Sequence, residues 1–241
     1  MSQPLNSLWE PPFPFPSGAA DLPPRGILVA TPALLNAVRD RAPEVLRKAA
    51  TIFMLGGTSI IKGQDFFVAG PVLGAPMAVM ALEVLVGGGA QKILFAGFGG
   101  SLSPELEPGD FLAPGSAIAG EGTSAHYEGG RLAPDPELLK SVEKALLRRE
   151  LLRGGPIWST DGPLRETAER RAAYRALGAV AVDMEVSALF AAASFREVAL
   201  AALILLTDSF GQGPWREGFK LPKFKKNLSL CGEIAWEALQ G

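Results

Sequence analysis

The chain of 241 residues balances 23 Lys and Arg against 25 Asp and Glu, a formal charge of -2, so it offers no general field for nucleic acid or an anionic membrane surface. One cysteine, Cys231, excludes an internal disulfide framework, and one histidine, His126, leaves no His/Cys set for zinc or iron, so no metal is expected. Hydrophobic residues make up 48% with a mean hydropathy of +0.21, enough apolar material for one large core.

Residues 1 to 25 carry Pro4, Pro11, Pro12, Pro14, Pro16, Pro23 and Pro24, which remove backbone donors and favour extended conformations, so this stretch reads as a Pro-rich tail. Its Trp9, Phe13 and Phe15 are candidates for packing on the body or on a neighbouring subunit. The N-terminus lacks a basic segment followed by an apolar one, and no run of 18 apolar residues occurs, so a cytoplasmic location without a membrane span is expected.

From residue 26 to residue 241 the pattern predicts a single domain in which short β-branched runs alternate with helical spacing. Strands are predicted at Gly26 to Ala30, Thr51 to Leu55, Phe66 to Ala69, Lys92 to Ala96, Phe111 to Ala119, Pro156 to Ser159, Ala179 to Val182 and Val198 to Leu206. Helices are predicted at Pro32 to Ala50 with an interruption near Pro43, Ala75 to Val86, Pro136 to Arg149, Leu164 to Leu177, Met184 to Phe195 and Lys223 to Leu239. Such alternation implies an α/β fold, a parallel or mixed sheet with helices on both faces. Ligands in these folds sit beyond the carboxyl ends of the strands. Gly97 to Ser101, Ser159 to Asp161, Asp183 to Glu185 and Thr207 to Ser209 therefore belong near one rim.

The Gly-rich stretch Gly97-Phe98-Gly99-Gly100-Ser101-Leu102 follows a strand, yet a dinucleotide fingerprint needs Gly or Ala where Leu102 stands and a helix directly after it. It reads as a turn whose glycines let backbone approach a small ligand, or as a tight turn with no ligand. Gly87-Gly88-Gly89-Ala90 lacks the ending of a phosphate-binding loop, and no Gly-x-Ser-x-Gly elbow accompanies His126, so no cofactor is expected and the histidine reads as structural. Two acids draw attention instead. Glu185 stands where an apolar strand turns into a helix, preceded by Asp183 as a candidate N-cap, and Asp208 ends the apolar run from Val198 to Leu206.

Taken in order, Gly97 to Leu102, Leu106-Glu107-Pro108-Gly109-Asp110, Glu121 to Tyr127, Ser159-Thr160-Asp161, Asp183-Met184-Glu185 and Thr207-Asp208 resemble the purine nucleoside and uridine phosphorylase family, which includes nucleosidases. The likeness runs from about Gly26 to the C-terminus. It implies a three-layer αβα sandwich with a central mixed sheet, assembled as a homo-oligomer, dimer or hexamer, and a nucleoside as the small-molecule partner. It implies that Met184 and Glu185 meet the ribose, the glutamate accepting hydrogen bonds from the sugar hydroxyls. Cleavage of an N-glycosidic bond passes through an oxocarbenium-like state, which a fixed carboxylate stabilises more than the ground state. The same resemblance implies that Asp208 faces the base and protonates or hydrogen-bonds it, a contribution of ~10² to 10⁴-fold for general acid catalysis. Trp215, Phe219 and Arg216 are candidates for a base lid, and Asp161 and Arg165 are further base-binding candidates.

The chain departs from the family at the anion site. Alignment of the Gly-rich stretch places Phe95 where the family has an arginine and Phe98 where it has serine or threonine, with Gly97 between them. Ile52 falls near a second arginine position, and Thr31-Pro32-Ala33-Leu34-Leu35 lacks the first loop's Gly-Asp-Pro phrase and following arginine. Phosphate against such side chains would leave its charge unpaired, so water is favoured over phosphate as acceptor. Neither Ala33 nor its neighbours supply the glutamate with which related nucleosidases orient water, and Asp161 or Asp183 is the substitute candidate. Three readings stay open: an N-ribosyl cleaving enzyme, a non-catalytic nucleoside or nucleobase binder on the same fold, and an unrelated α/β enzyme whose glycines cradle another cofactor. The presence of both Glu185 and Asp208 favours the first.

Overall fold

The structure, a computed structural model, describes Ala19 and residues 21–42, 50–53, 57–211 and 214–241, with the backbone alone for 50–53. Trp9, Phe13 and Phe15 of the predicted tail, residues 43–49 of the first predicted helix and the end of the second predicted strand lie outside the described residues, and Ala50, expected to end that helix, is strand instead.

In chain order the elements are β1 (Arg25–Val29), α1 (Pro32–Asp40), β2 (Ala50–Phe53), β3 (Ser59–Lys62), β4 (Phe67–Gly70), α2 (Ala75–Gly87), β5 (Lys92–Ser101), β6 (Phe111–Gly120), α3 (Pro136–Leu147), β7 (Gly154–Thr160), α4 (Ala168–Ala176), β8 (Ala181–Asp183), α5 (Val186–Phe195), β9 (Ala199–Ser209), β10 (Arg216–Glu217) and α6 (Pro222–Gln240). Every predicted strand is present to within a few residues. Two more, β3 and β10, had no periodic signal: each is short and exists by pairing with a neighbour already in place, β3 on β4 and β10 on β9.

The sheet is mixed, as expected for this α/β class, and runs β10-β9-β6-β7-β8-β5-β1-β4-β3-β2. It is not simply open. A further pairing of β5 with β9 closes β9, β6, β7, β8 and β5 into a ring, from which β1, β4, β3 and β2 extend as a wing. Closure requires β5 to serve two neighbours on one edge: Arg25 to Val29 of β1 pair with its first half, and Val182 and Ala181 of β8 pair with Gly100 and Ser101 at its end.

That double duty corrects the expectation of a Gly-rich turn at Gly97 to Ser101, which is strand throughout. The glycines are there because the sheet is tight. A Cβ on Gly97 would lie 2.6 Å from the Phe95 ring, and one on Gly99 would lie 2.8 Å from the Val182 carbonyl oxygen. Pairing with β9 slips at this place, Gly99 facing Leu206 and Gly100 facing Asp208, so Thr207 has no opposite number and forms a bulge. A bulge re-aims the side chains that follow it.

Helix starts follow local chemistry. The Thr31 hydroxyl accepts from Leu34 N ahead of α1, Asp135 from Leu138 N ahead of α3, and Thr167 from Arg170 N ahead of α4. The long helix predicted from Leu164 is therefore broken: Pro163–Arg165 form a single 3₁₀ turn, and Glu166 sits at the break before α4. Helices α2 and α5 pack on each other and are apolar nearly all round, burying eight residues apiece, whereas α1 and α3 lie on α6 with one buried stripe. No described helix is long and apolar enough to cross a membrane.

Candidate active site

Cavity walls come from the ends of β5, β8 and β9 together with the loops after β1, β4, β7 and β10. They enclose about 530 Å³, within the range of small-molecule sites. Phe98, Gly99 and Gly100 line it from β5, Val182 to Glu185 from β8 and the start of α5, and Thr207, Asp208 and Phe210 from β9 and beyond. Adjacent strand residues ordinarily point to opposite faces. Thr207 and Asp208 share this wall because of the bulge between them and the ladder.

Asp208 is held at both oxygens. Thr207 Oγ1 donates to Oδ1 at 2.7 Å and the Trp215 indole N–H donates to Oδ2 at 2.7 Å. Gly100 leaves the space in which the carboxylate sits, since a Cβ there would come within 3.1 Å of Oδ2. Gly100→Val should therefore displace Asp208 while the distant core stays intact. The expected outcome is a loss of about 10²-fold in turnover with an unchanged far-ultraviolet circular dichroism spectrum, and full turnover would show that this carboxylate needs no fixed seat.

At the other side, Asp183 and Glu185 form a buried unit. Asp183 Oδ2 accepts from the backbone N–H of Glu185 at 2.9 Å and of Val186 at 2.7 Å, and its Oδ1 accepts from Ser159 Oγ at 2.5 Å. Ser159 Oγ in turn accepts from Ser187 N. Asp183 thus caps α5 and ties it to β7, the bland role weighed for it from the sequence. Glu185 Oε1 accepts from Gly74 N at 2.6 Å, immediately ahead of α2, a helix whose start has no side-chain cap of its own. Burial is the main cause that pushes both acids up, Asp183 to about 6 and Glu185 to about 8, the latter also because the Asp183 charge lies beside it.

Met184, Glu185, Asp208, Trp215, Phe219 and Phe98 all line the cavity. Phe219 meets Phe98 edge-on at 6.3 Å between ring centroids and Phe224 at 5.3 Å, so Phe98 belongs to an aromatic wall. Other sequence candidates lie elsewhere. Phe95 is fully buried behind that wall with its ring against Gly97, and neither lines the cavity, because alternate residues of β5 face the core. Ile52 is in β2 opposite Ile60, its side chain outside the described residues. Arg216 is exposed in β10, and Asp161 turns away to accept from Gly122 N at 2.9 Å. Arg165 closes the 3₁₀ turn whose Pro163 and Leu164, rather than the arginine, reach the cavity. His126 is exposed in its own 3₁₀ turn, away from these walls.

Sequence inspection passed over Leu73, Phe210 and Glu166. Leu73 and Phe210 read as ordinary apolar residues, and Glu166 lay inside the helix predicted from Leu164 to Leu177, where nothing distinguishes one acid from the next. Glu166 is half-buried, and burial followed by the Asp208 charge pushes its carboxyl up to about 7, against the pull of Arg171 and Arg170. Arg171 does not enter the cavity: its guanidinium donates to the Glu166 carbonyl oxygen and stacks 4.0 Å over Phe210. Among the described residues lining the cavity there are four carboxyl groups, Glu166, Asp183, Glu185 and Asp208, and no Lys, Arg or His. No group of three or more His, Cys, Asp or Glu among the described residues is arranged to hold a metal ion.

The sequence model of the phosphorylase superfamily matches residues 24–240. A guanosine phosphorylase of Halorubrum lacusprofundi is 31% identical over 134 residues, covering 54% of this chain and only 56% of that protein. A DeoD-type purine nucleoside phosphorylase of Myxococcus xanthus is 26% identical over 193 residues, covering 76% and 78%. Among solved structures, purine nucleoside phosphorylase of Toxoplasma gondii in complex with immucillin-H superposes with a TM-score of 0.78 over 91% of each chain at 20% identity. AMP nucleosidase of Bacteroides thetaiotaomicron gives a TM-score of 0.71 over 91% of this chain and 89% of that one, at 21% identity. At such identities the superpositions bear on the fold alone.

Proposed function

The chain belongs to the phosphorylase superfamily, and from that membership we propose that it is an enzyme that cleaves the N-glycosidic bond of a nucleoside, preferably a purine nucleoside, with water rather than phosphate as acceptor. Both kinds of chemistry occur among its likenesses, which include guanosine and purine nucleoside phosphorylases and an AMP nucleosidase. The absence of any Lys, Arg or His from the described cavity lining carries the choice of acceptor. A phosphate dianion placed there would find no cation among the described lining residues and an aromatic wall beside it, with desolvation uncompensated. A neutral nucleoside meets no such penalty.

In this reading Glu185 takes the ribose end and Asp208 the base end, with Met184 under the sugar and Trp215 and Phe219 across the mouth. Glu185 is already fixed by Gly74 N, so it need not reorganise as positive charge grows on the sugar ring, which is where electrostatic stabilisation acts. Water enters from the open side and adds to the anomeric carbon as the base leaves.

The test incubates the protein with adenosine, inosine, guanosine, uridine and methylthioadenosine, each with and without inorganic phosphate, and measures released base and sugar. Free base with ribose, at a rate independent of phosphate, is the expected result. Phosphate-dependent ribose 1-phosphate would overturn the choice of acceptor, and nucleoside affinity without product would overturn the enzyme.

A further inference from the structure

Protonation of the departing base is ordinarily sought at the acid ending the long strand, here Asp208. That side chain is poorly disposed for it. Its oxygens already lie against Thr207 Oγ1 and the Trp215 indole N–H, each at 2.7 Å, which fixes the carboxyl group in place. Glu166 lines the same cavity, and no side chain among the described residues donates to its carboxyl group. Its backbone is fixed: the carbonyl is held by Arg171, and the 3₁₀ turn before it and the Thr167 cap after it set its direction.

We propose that Glu166 is the acid that delivers the proton to the leaving base, and that Asp208 acts beside it as the group that orients the base. The inference rests on the N-glycosidic cleavage proposed above. As the bond between the anomeric carbon and the base nitrogen breaks, its electron pair passes to the base. The Glu166 O–H proton moves to an electron-rich ring nitrogen, so the base leaves neutral and Glu166 is left as carboxylate. Water supplies hydroxide to the anomeric carbon, and the proton it sheds restores Glu166 through solvent. The net change is nucleoside plus water to base plus ribose.

The charged groups facing Glu166 are Asp208 from β9 and Arg170 and Arg171 from α4. Asp208 raises the carboxyl and the arginines lower it, with burial placing it at about 7. Because the protonated form of Glu166 is the active one, the ratio of wild-type turnover to that of Glu166→Gln, which cancels the titration of Glu185, should fall tenfold per pH unit above that value. Asp208→Asn removes the negative neighbour and should move this basic limb to lower pH.

The decisive variant is Glu166→Gln, tested on whichever nucleoside the wild-type protein cleaves and on 4-nitrophenyl β-D-riboside, whose leaving group needs no proton. Expected are a loss of ~10² to 10⁴-fold on the nucleoside, disappearance of the basic limb, partial recovery in Glu166→Asp, and near wild-type cleavage of any activated riboside that the wild type accepts. An unchanged nucleoside rate or an unmoved basic limb in Glu166→Gln would overturn the role of Glu166 while leaving the proposed function standing. Equal losses on both substrates would overturn it too, since they mark a structural part. A wild-type protein inactive on every nucleoside would instead strike the proposed function.

Discussion

Glu185→Gln is expected to lower kcat/KM for nucleoside cleavage by roughly 10² to 10³-fold, the scale seen when one preorganised electrostatic partner of a transition state is lost. Glutamine keeps the size of the side chain and still offers an oxygen to Gly74 N, so the scaffold at the start of α2 survives. What it cannot provide is the negative charge that Glu185, raised to about 8 by burial and then by Asp183, gains as pH rises to that value, so the loss is read at pH 8 and above. Steady-state kinetics should place the loss mainly in kcat, because ground-state contacts to sugar hydroxyls persist through the amide. A variant with wild-type kcat would remove Glu185 from the chemistry.

The same substitution should make the protein more stable at high pH. Glu185 is raised from its ordinary 4.5 to about 8 by burial and by Asp183, itself raised from 3.8 to about 6. A carboxyl group with a higher pKa folded than unfolded binds its proton more tightly in the native state. Stability is therefore greatest below about pH 4 for these two groups and is lost as pH rises towards 8. Removing the titratable group at 185 should flatten that decline, so melting of Glu185→Gln exceeds wild type at pH 8.5 and matches it near pH 5. The enzyme would thus hold a strained acid where its chemistry needs one.

Asp183→Ala is expected to be the most destabilising single change near the site, by about 3–5 kcal/mol, the scale for removing one partner from a buried charged network. Three donors lose their acceptor together: the Ser159 hydroxyl and the backbone N–H groups of Glu185 and Val186. At ~2–4 °C per kcal/mol for a chain of this length, melting should drop by roughly 6–20 °C. Asp183→Asn keeps an acceptor for the backbone donors and should recover about half of the loss. If alanine left the melting temperature unchanged, Asp183 would not be the cap that ties α5 to β7. The pairing of these tests separates the adjacent acids, one placed as the cap of α5 and the other proposed to face the ligand.

Much of this arrangement was legible in the sequence. The alternation of β-branched runs with amphipathic segments dictated an α/β fold, because period 2 and period 3.6 bury apolar faces in different ways. The helix starts at Pro32 and Pro136 stand where the spacing put them, with Thr31 and Asp135 satisfying backbone donors ahead of them, whereas the Thr167 cap lies inside the helix predicted from Leu164. Asp183, Glu185 and Asp208 stood out because each is a charge at the end of an otherwise apolar run, where burial without purpose is costly.

What the sequence could not decide depends on residues far apart along the chain. Closure of the ring requires β5 to pair with β8 and β9 at once, which turned an apparent Gly-rich turn into strand. The bulge at Thr207 exists only against Gly99 and Gly100, and it swings Asp208 into the cavity. Phe95 and Phe98, three residues apart, were divided between core and cavity by the ladder on either side. The Glu166 carboxyl is raised first by burial and then by the charge of Asp208, more than forty positions later in the chain. Local patterns fix which segments are helix or strand because those preferences act within a few residues; packing alone fixes which charges are brought face to face, because burial and Coulomb attraction or repulsion act through space.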